Sequence, residues 1–88
     1  NADAALGEYR EAVRLDPKNV PAHINLGLAL AAKDDLSGAI AAFREAARLD
    51  PHNPAAKQNL AAATQRQALR DLVGKQRVAP MPREVTRP

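Results

Sequence analysis

The pentad Leu15-Asp16-Pro17-Lys18-Asn19 returns 34 residues later as Leu49-Asp50-Pro51-His52-Asn53. A fixed period of this length constrains a fold more tightly than composition does. Each period must be one supersecondary unit, and a single unit cannot bury its apolar face alone, so units stack. Laying residues 5–30 over 39–64 gives 13 identities in 26 positions. Four are alanine pairs, which an alanine-rich chain produces readily. The other nine, among them Arg10/Arg44, Glu11/Glu45, Arg14/Arg48, Asn25/Asn59 and Leu26/Leu60, do not arise from composition.

The complete unit, residues 20–53, reads as helix, tight turn, helix. Asn19 is placed to cap the first helix, with Pro21 in the first turn, where a missing N–H is harmless. His23, Leu26, Gly27 and Leu30 form one stripe at helical spacing. Asp34-Asp35 make the turn, and Asp35 caps a second helix over 36–49. Ala39, Phe43 and Ala46 face back towards the first helix, with Ile40 and Ala47 on the adjoining face. Gly27 is out of place by propensity, since glycine inside a helix costs about 1 kcal/mol against alanine. Close approach of the paired helix explains it: a side chain there would hold that helix away. Ala39, Phe43, Leu26 and Leu60 are the expected core.

The flanks follow from the period. Residues 1–19 read as the second helix of a truncated repeat, with Asn1 at its cap and Pro17 ending it. Leu6, Tyr9 and Val13 would then be partly exposed for want of a partner helix. After Asn53 and Pro54 the first-helix pattern survives as Leu60, Ala61 and Thr64. No turn interrupts it near residue 68, so one longer helix is expected over 54–73, ending at Gly74. Gln65, Arg66, Gln67 and Arg70 suit that helix to cap the open end of a stack. Residues 74–88, basic and containing three prolines, read as a disordered tail.

These residues resemble the tetratricopeptide repeat family, whose unit is a 34-residue helix–turn–helix. The resemblance rests on Leu26 and Gly27 in the first helix, Ala39, Phe43 and Ala46 in the second, and Pro51 at the close. It covers residues 1–73. His23 stands where the family favours a large aromatic, and Leu30 where it favours Tyr. The resemblance implies an all-α fold of antiparallel helix pairs, stacked as a right-handed solenoid. It also implies a module that binds protein or peptide partners and forms part of a longer array.

Composition narrows the function by exclusion. Only 2% of the residues are aromatic, so packing rests on Ala, Leu, Ile and Val. No cysteine is present, which removes disulfides, thiolate metal sites and a cysteine nucleophile. His23 and His52 fall in different settings, with no further ligand at metal spacing. Ser37 has no base placed beside it, and no glycine-rich phosphate loop occurs, so no catalytic residue, cofactor or small-molecule substrate is assigned. No run suits a membrane span. The net charge of +3 belongs to the tail. Residues 1–73 balance nine basic against nine acidic side chains, and Lys75, Arg77, Arg83 and Arg87 face only Glu84 beyond them. That distribution, with no aromatic interleaved, argues against nucleic acid. The compartment stays open, the cytoplasm being slightly favoured.

Asn25 and Asn59 recur at the repeat period in the first helix of each unit, off the inward stripe. Each amide offers two donors and an acceptor, so a ladder of them can hold the backbone of an extended peptide. The resemblance implies the same: the family uses an asparagine here in some peptide-binding superhelices, including the repeat region of the protein O-linked N-acetylglucosamine transferases. The competing reading is that both amides bond neighbouring helices or face water. Ile24 and Leu28 make the first helix apolar on a second face, either as a groove floor or as packing against the next repeat. Gln58, Ala62, Gln65 and Arg66 complete the expected concave, peptide-binding face. Family members that grip a C-terminal carboxylate use Lys and Arg on that face. Ala55 and Asn59 stand there in this chain, against such a clamp. The expected function is a protein–protein interaction scaffold without enzymatic activity. The rival is a substrate-recruiting repeat arm of a larger enzyme, such as a glycosyltransferase.

Overall fold

The computed structural model describes the backbone of residues 2–78 and the side chains of residues 3–74. Four helices follow in order: α1 (Ala2–Leu15), α2 (Val20–Ala32), α3 (Leu36–Leu49) and α4 (Pro54–Val78). The described residues contain no strand. Helices α2 and α3 form the complete antiparallel pair, α1 packs on α2, and α4 packs on α3 and on α2. The architecture is a helical repeat solenoid.

Local chemistry sets the boundaries. Asn19 Oδ1 accepts from the Ala22 amide at 3.0 Å, and Asn53 Oδ1 repeats the bond to Ala56 at 3.1 Å. Asp35 Oδ1 caps α3 through the Gly38 amide at 3.0 Å. Each bond satisfies one of the N–H groups that a helix start leaves without an intrahelical partner. Asp34 takes φ 68°, the left-handed region that aspartate enters more readily than most residues. That single residue reverses the chain between α2 and α3. Asn1, the expected cap of α1, lies outside the described residues.

The core runs through Leu6, Leu30, Ala39, Phe43 and Ala63. Ala39 and Ala46 are fully enclosed, and Phe43 is 2% exposed. A Cβ built on Gly27 would lie 2.6 Å from Cδ1 and 2.8 Å from Cζ of Phe43, well inside contact distance. The glycine is therefore required by the ring, as the close-approach argument anticipates. His23 is buried, and its Nε2 lies 2.8 Å from the Pro17 carbonyl oxygen, which ties α2 to the preceding turn.

Three expectations change. Leu6 is buried rather than partly exposed, because it enters the shared core with Leu30 and Phe43 and needs no upstream helix to cover it. Tyr9 and Val13 are half-buried. Leu26 and Leu60 are half-buried rather than buried, packed at the margin of the core whose centre alanines and Phe43 occupy. Finally, α4 does not end at residue 73. It continues through Gly74 to Val78. Gly74 has a negative φ and so forms no left-handed cap. The expected tail begins, in part, as helix, and its remainder, residues 79–88, lies outside the described residues.

Candidate functional site

α2 and α4 are equivalent helices of successive units, and α3 lies beneath both. Where they meet, a half-open cleft of about 110 Å³ is lined by Leu28, Ala31, Phe43, Asn59, Ala62, Ala63 and Arg66. Its cause is side-chain size. Ala31, Ala62 and Ala63 leave room above the Phe43 ring, which forms the floor. Pockets that enclose small molecules run to about 300–1,000 Å³. This one accommodates a side chain or two, as an anchor point on a larger surface does.

Four of the eight expected site residues line this cleft: Leu28, Asn59, Ala62 and Arg66. Asn25, Gln58 and Gln65 are exposed and do not line it. Ile24 turns partly into the core, so packing accounts for it. Leu28 stays 48% exposed at the cleft wall. Ala31, Phe43 and Ala63 were not expected in the site. Sequence pattern places Phe43 and Ala63 in the core, and nothing in it shows that a core ring also floors a surface cleft.

The four asparagines of the repeat pattern separate by role. Asn19 and Asn53 are engaged as caps. Asn25 and Asn59 make no side-chain hydrogen bond to any described residue. Neither amide holds two helices together. Arg66 lies 4.0 Å from Asp34 Oδ1 and is 55% exposed, which leaves donors of its guanidinium open to the cleft. Arg70 hydrogen-bonds the same carboxylate. Two arginines thus meet one aspartate. The other ion pairs lie away from the cleft, and they move carboxyl pKa values. A hydrogen bond and the charge of Lys33 lower Asp3. Arg14 lowers Glu11, and Arg48 lowers Glu45, again chiefly through hydrogen bonds.

Helix pairs repeated at a fixed period, with equivalent first helices side by side, define a helical repeat protein. The tetratricopeptide repeat family model matches residues 1–54, more than half of the chain, and the chain belongs to that family. The match spans α1, α2 and α3, and leaves the α4 side of the cleft to be read from structure alone. No curated protein matches the chain. Tetratricopeptide repeats generally mediate protein–protein interaction and are typically non-enzymatic. Among the described residues no helix is long and apolar enough to cross a membrane.

Proposed function

We propose that this chain binds a segment of another protein, as a peptide or a partner helix, across the face formed by α2 and α4. The observation that carries the reading is the cleft between those helices, where Leu28, Ala62 and the Phe43 ring offer an apolar anchor beside Asn59 and Arg66. Asn25 and Asn59 supply a repeated polar contact, and neither has another described hydrogen-bond partner to give up. An apolar pocket flanked by a few polar groups is how protein surfaces combine affinity with orientation.

A displayed peptide library selected against the chain provides the test. Selected binders should compete with one another and lose affinity on Ala62→Arg, which fills the cleft from an exposed position. The double change Asn25→Ala with Asn59→Ala should leave the melting temperature nearly unchanged. Its loss of affinity should be about 1–3 kcal/mol, at roughly 0.5–1.5 for each neutral hydrogen bond. That is up to about a hundredfold in Kd. A large fall in melting temperature with unchanged affinity would assign both amides a structural role and remove them from the site.

A further inference from the structure

We propose that the binding face continues past the cleft along the distal half of α4, and that its partner is an amphipathic helix with carboxylates along one edge. This inference rests on the binding reading given above and makes its partner specific. Leu69, Leu72 and Val73 are 54%, 52% and 51% exposed. Three large apolar side chains within five residues are more than the scattered exposure every protein surface shows. At 3.6 residues per turn, residues seven apart return to within about 20° of one another. Leu69 therefore stands on the same face as Ala62 in the cleft, and Leu72 and Val73 fall on either side of that line. From Ala62 to Val73 the face is about 16 Å long, or three helical turns, apolar at both ends and crossed by Gln65 and Arg66 in the turn between. Leu28 forms its wall at the cleft end.

Charge selects among occupants. Arg66 and Arg70 lie along one edge of the strip, with Asp34 as their shared carboxylate. Ala61 and Ala68 lie along the other edge and carry no charge. Asp71 is on the far side, accepting a hydrogen bond from Gln67 at 3.3 Å. A second copy of the chain, paired antiparallel about a two-fold axis, would set the arginine edge against itself. Paired in parallel, it would set that edge against alanines. The first gathers four arginines around two Asp34 carboxylates, and the second offers none. A different helix with Glu or Asp on one flank answers the surplus cation at Arg66, and its leucine-type anchors three and four residues apart match the strip. A helix seated on Ala62 runs on to Leu69, Leu72 and Val73 past the polar turn at Gln65 and Arg66, which an extended peptide held by the amides of the cleft does not require.

The decisive experiment selects a displayed library of amphipathic helices against the full chain. Leucine is fixed at the anchor positions, and every flanking position is Glu or Lys. Glu should be enriched on one flank only, and Arg66→Glu should reverse that preference. The double change Leu69→Glu with Leu72→Glu alters only exposed side chains, and a melt confirms that the fold is kept. It should weaken the selected helices by about tenfold or more, the size of a hot-spot loss. Several outcomes overturn the inference. Equal recovery of Glu and Lys removes the charge argument, and binders indifferent to the double change show that the strip is not used. Failure to recover any helix removes the partner class. Dimerisation in sedimentation that is abolished by Leu72→Glu makes a second copy the occupant. Loss of binding on Ala62→Arg, with indifference to the distal change, leaves the cleft reading intact and refutes only its extension. Loss of neither refutes both.

Discussion

α2 and α4 occupy the same place in successive units, yet one is enclosed and the other stands at the open side of the stack. Their shared stripe is the one that meets the helix before them. Ala22 and Ala56 are both buried, and Leu26 and Leu60 both pack at the core margin. The stripe that meets the helix after them has been rewritten. His23, Gly27 and Leu30 are buried in α2, and their counterparts Lys57, Ala61 and Thr64 are exposed in α4. α2 touches all three other helices, while α4 has no second helix of its own among the described residues. A first helix in this fold is thus two half-interfaces at different angles, and in α4 the half that no described neighbour covers carries no buried residue at 57, 61 or 64.

The strongest test of that comparison applies one change to both helices. Leu30→Ala should cost about 2–5 kcal/mol, because it opens a cavity beside Phe43. Thr64→Ala at the equivalent site should stay within about 0.5 kcal/mol. Equal effects in thermal or urea melts would mean that the two helices are not differently enclosed in solution. A loss of the larger size approaches the whole stability of a domain this small, so the Leu30 variant is best measured by urea titration at low temperature.

A finer test exchanges glycine and alanine between the same two positions. Propensity alone says that Gly27→Ala should gain about 1 kcal/mol. An added Cβ would lie 2.6 Å from Cδ1 of the buried Phe43 ring and push it from its packed position, so overpacking of about 1–3 kcal/mol opposes that gain. The net effect should be a loss of up to about 2 kcal/mol. Phe43→Leu, combined with Gly27→Ala, should recover part of it, which a double-mutant cycle reads directly. Ala61→Gly has no such contact behind it and should cost about 1 kcal/mol through propensity. Glycine is needed in one helix and harmful in the other. A stabilised Gly27→Ala variant would remove the ring contact as the reason for Gly27.

How much of this was legible from sequence divides along the same line. The period, the caps at Asn19, Asp35 and Asn53, and the Gly27–Phe43 approach are local or repeated signals, and each is found where expected. Burial of Leu6 is not legible from the helix's own pattern, because it is supplied by a neighbour, α2, and by the core that α2 shares. The end of α4 is not legible at Gly74, since a glycine that suits a helix cap also fits inside a helix at negative φ. For the candidate site, periodicity points to four of the seven residues that line the cleft, Leu28, Asn59, Ala62 and Arg66. It did not separate Ile24, drawn into the core, from Leu28, left at the surface. That distinction depends on which neighbours cover each residue, which no single-helix pattern encodes.

The smallest effect concerns how the units are held by charge. Glu11–Arg14 and Glu45–Arg48 recur at the repeat period, each within one helix. Asp3–Lys33 differs, since it joins the start of α1 to the end of α2. All are exposed, and exposed pairs contribute little at neutral pH. Their pH dependence has a definite sign. Asp3, Glu11 and Glu45 are all lowered in the folded chain, so the unfolded chain binds more protons between the two sets of values. The stabilisation is complete above the ordinary carboxyl range and is lost as pH falls through the lowered folded values. The melting temperature should therefore be level from about pH 5 to 7 and decline below about pH 4. Asp3→Asn removes one titrating group and one interhelix tie. It should leave the neutral melt almost unchanged and make the acid decline shallower. Removing Glu11 instead should alter the same slope without changing how α1 sits on α2. A measurement separates the two at neutral pH: amide exchange in α1 should quicken for Asp3→Asn and not for Glu11→Gln. If both variants exchange alike, the Asp3–Lys33 pair is not formed in solution, and α1 is held to α2 by Leu6 and its apolar neighbours alone.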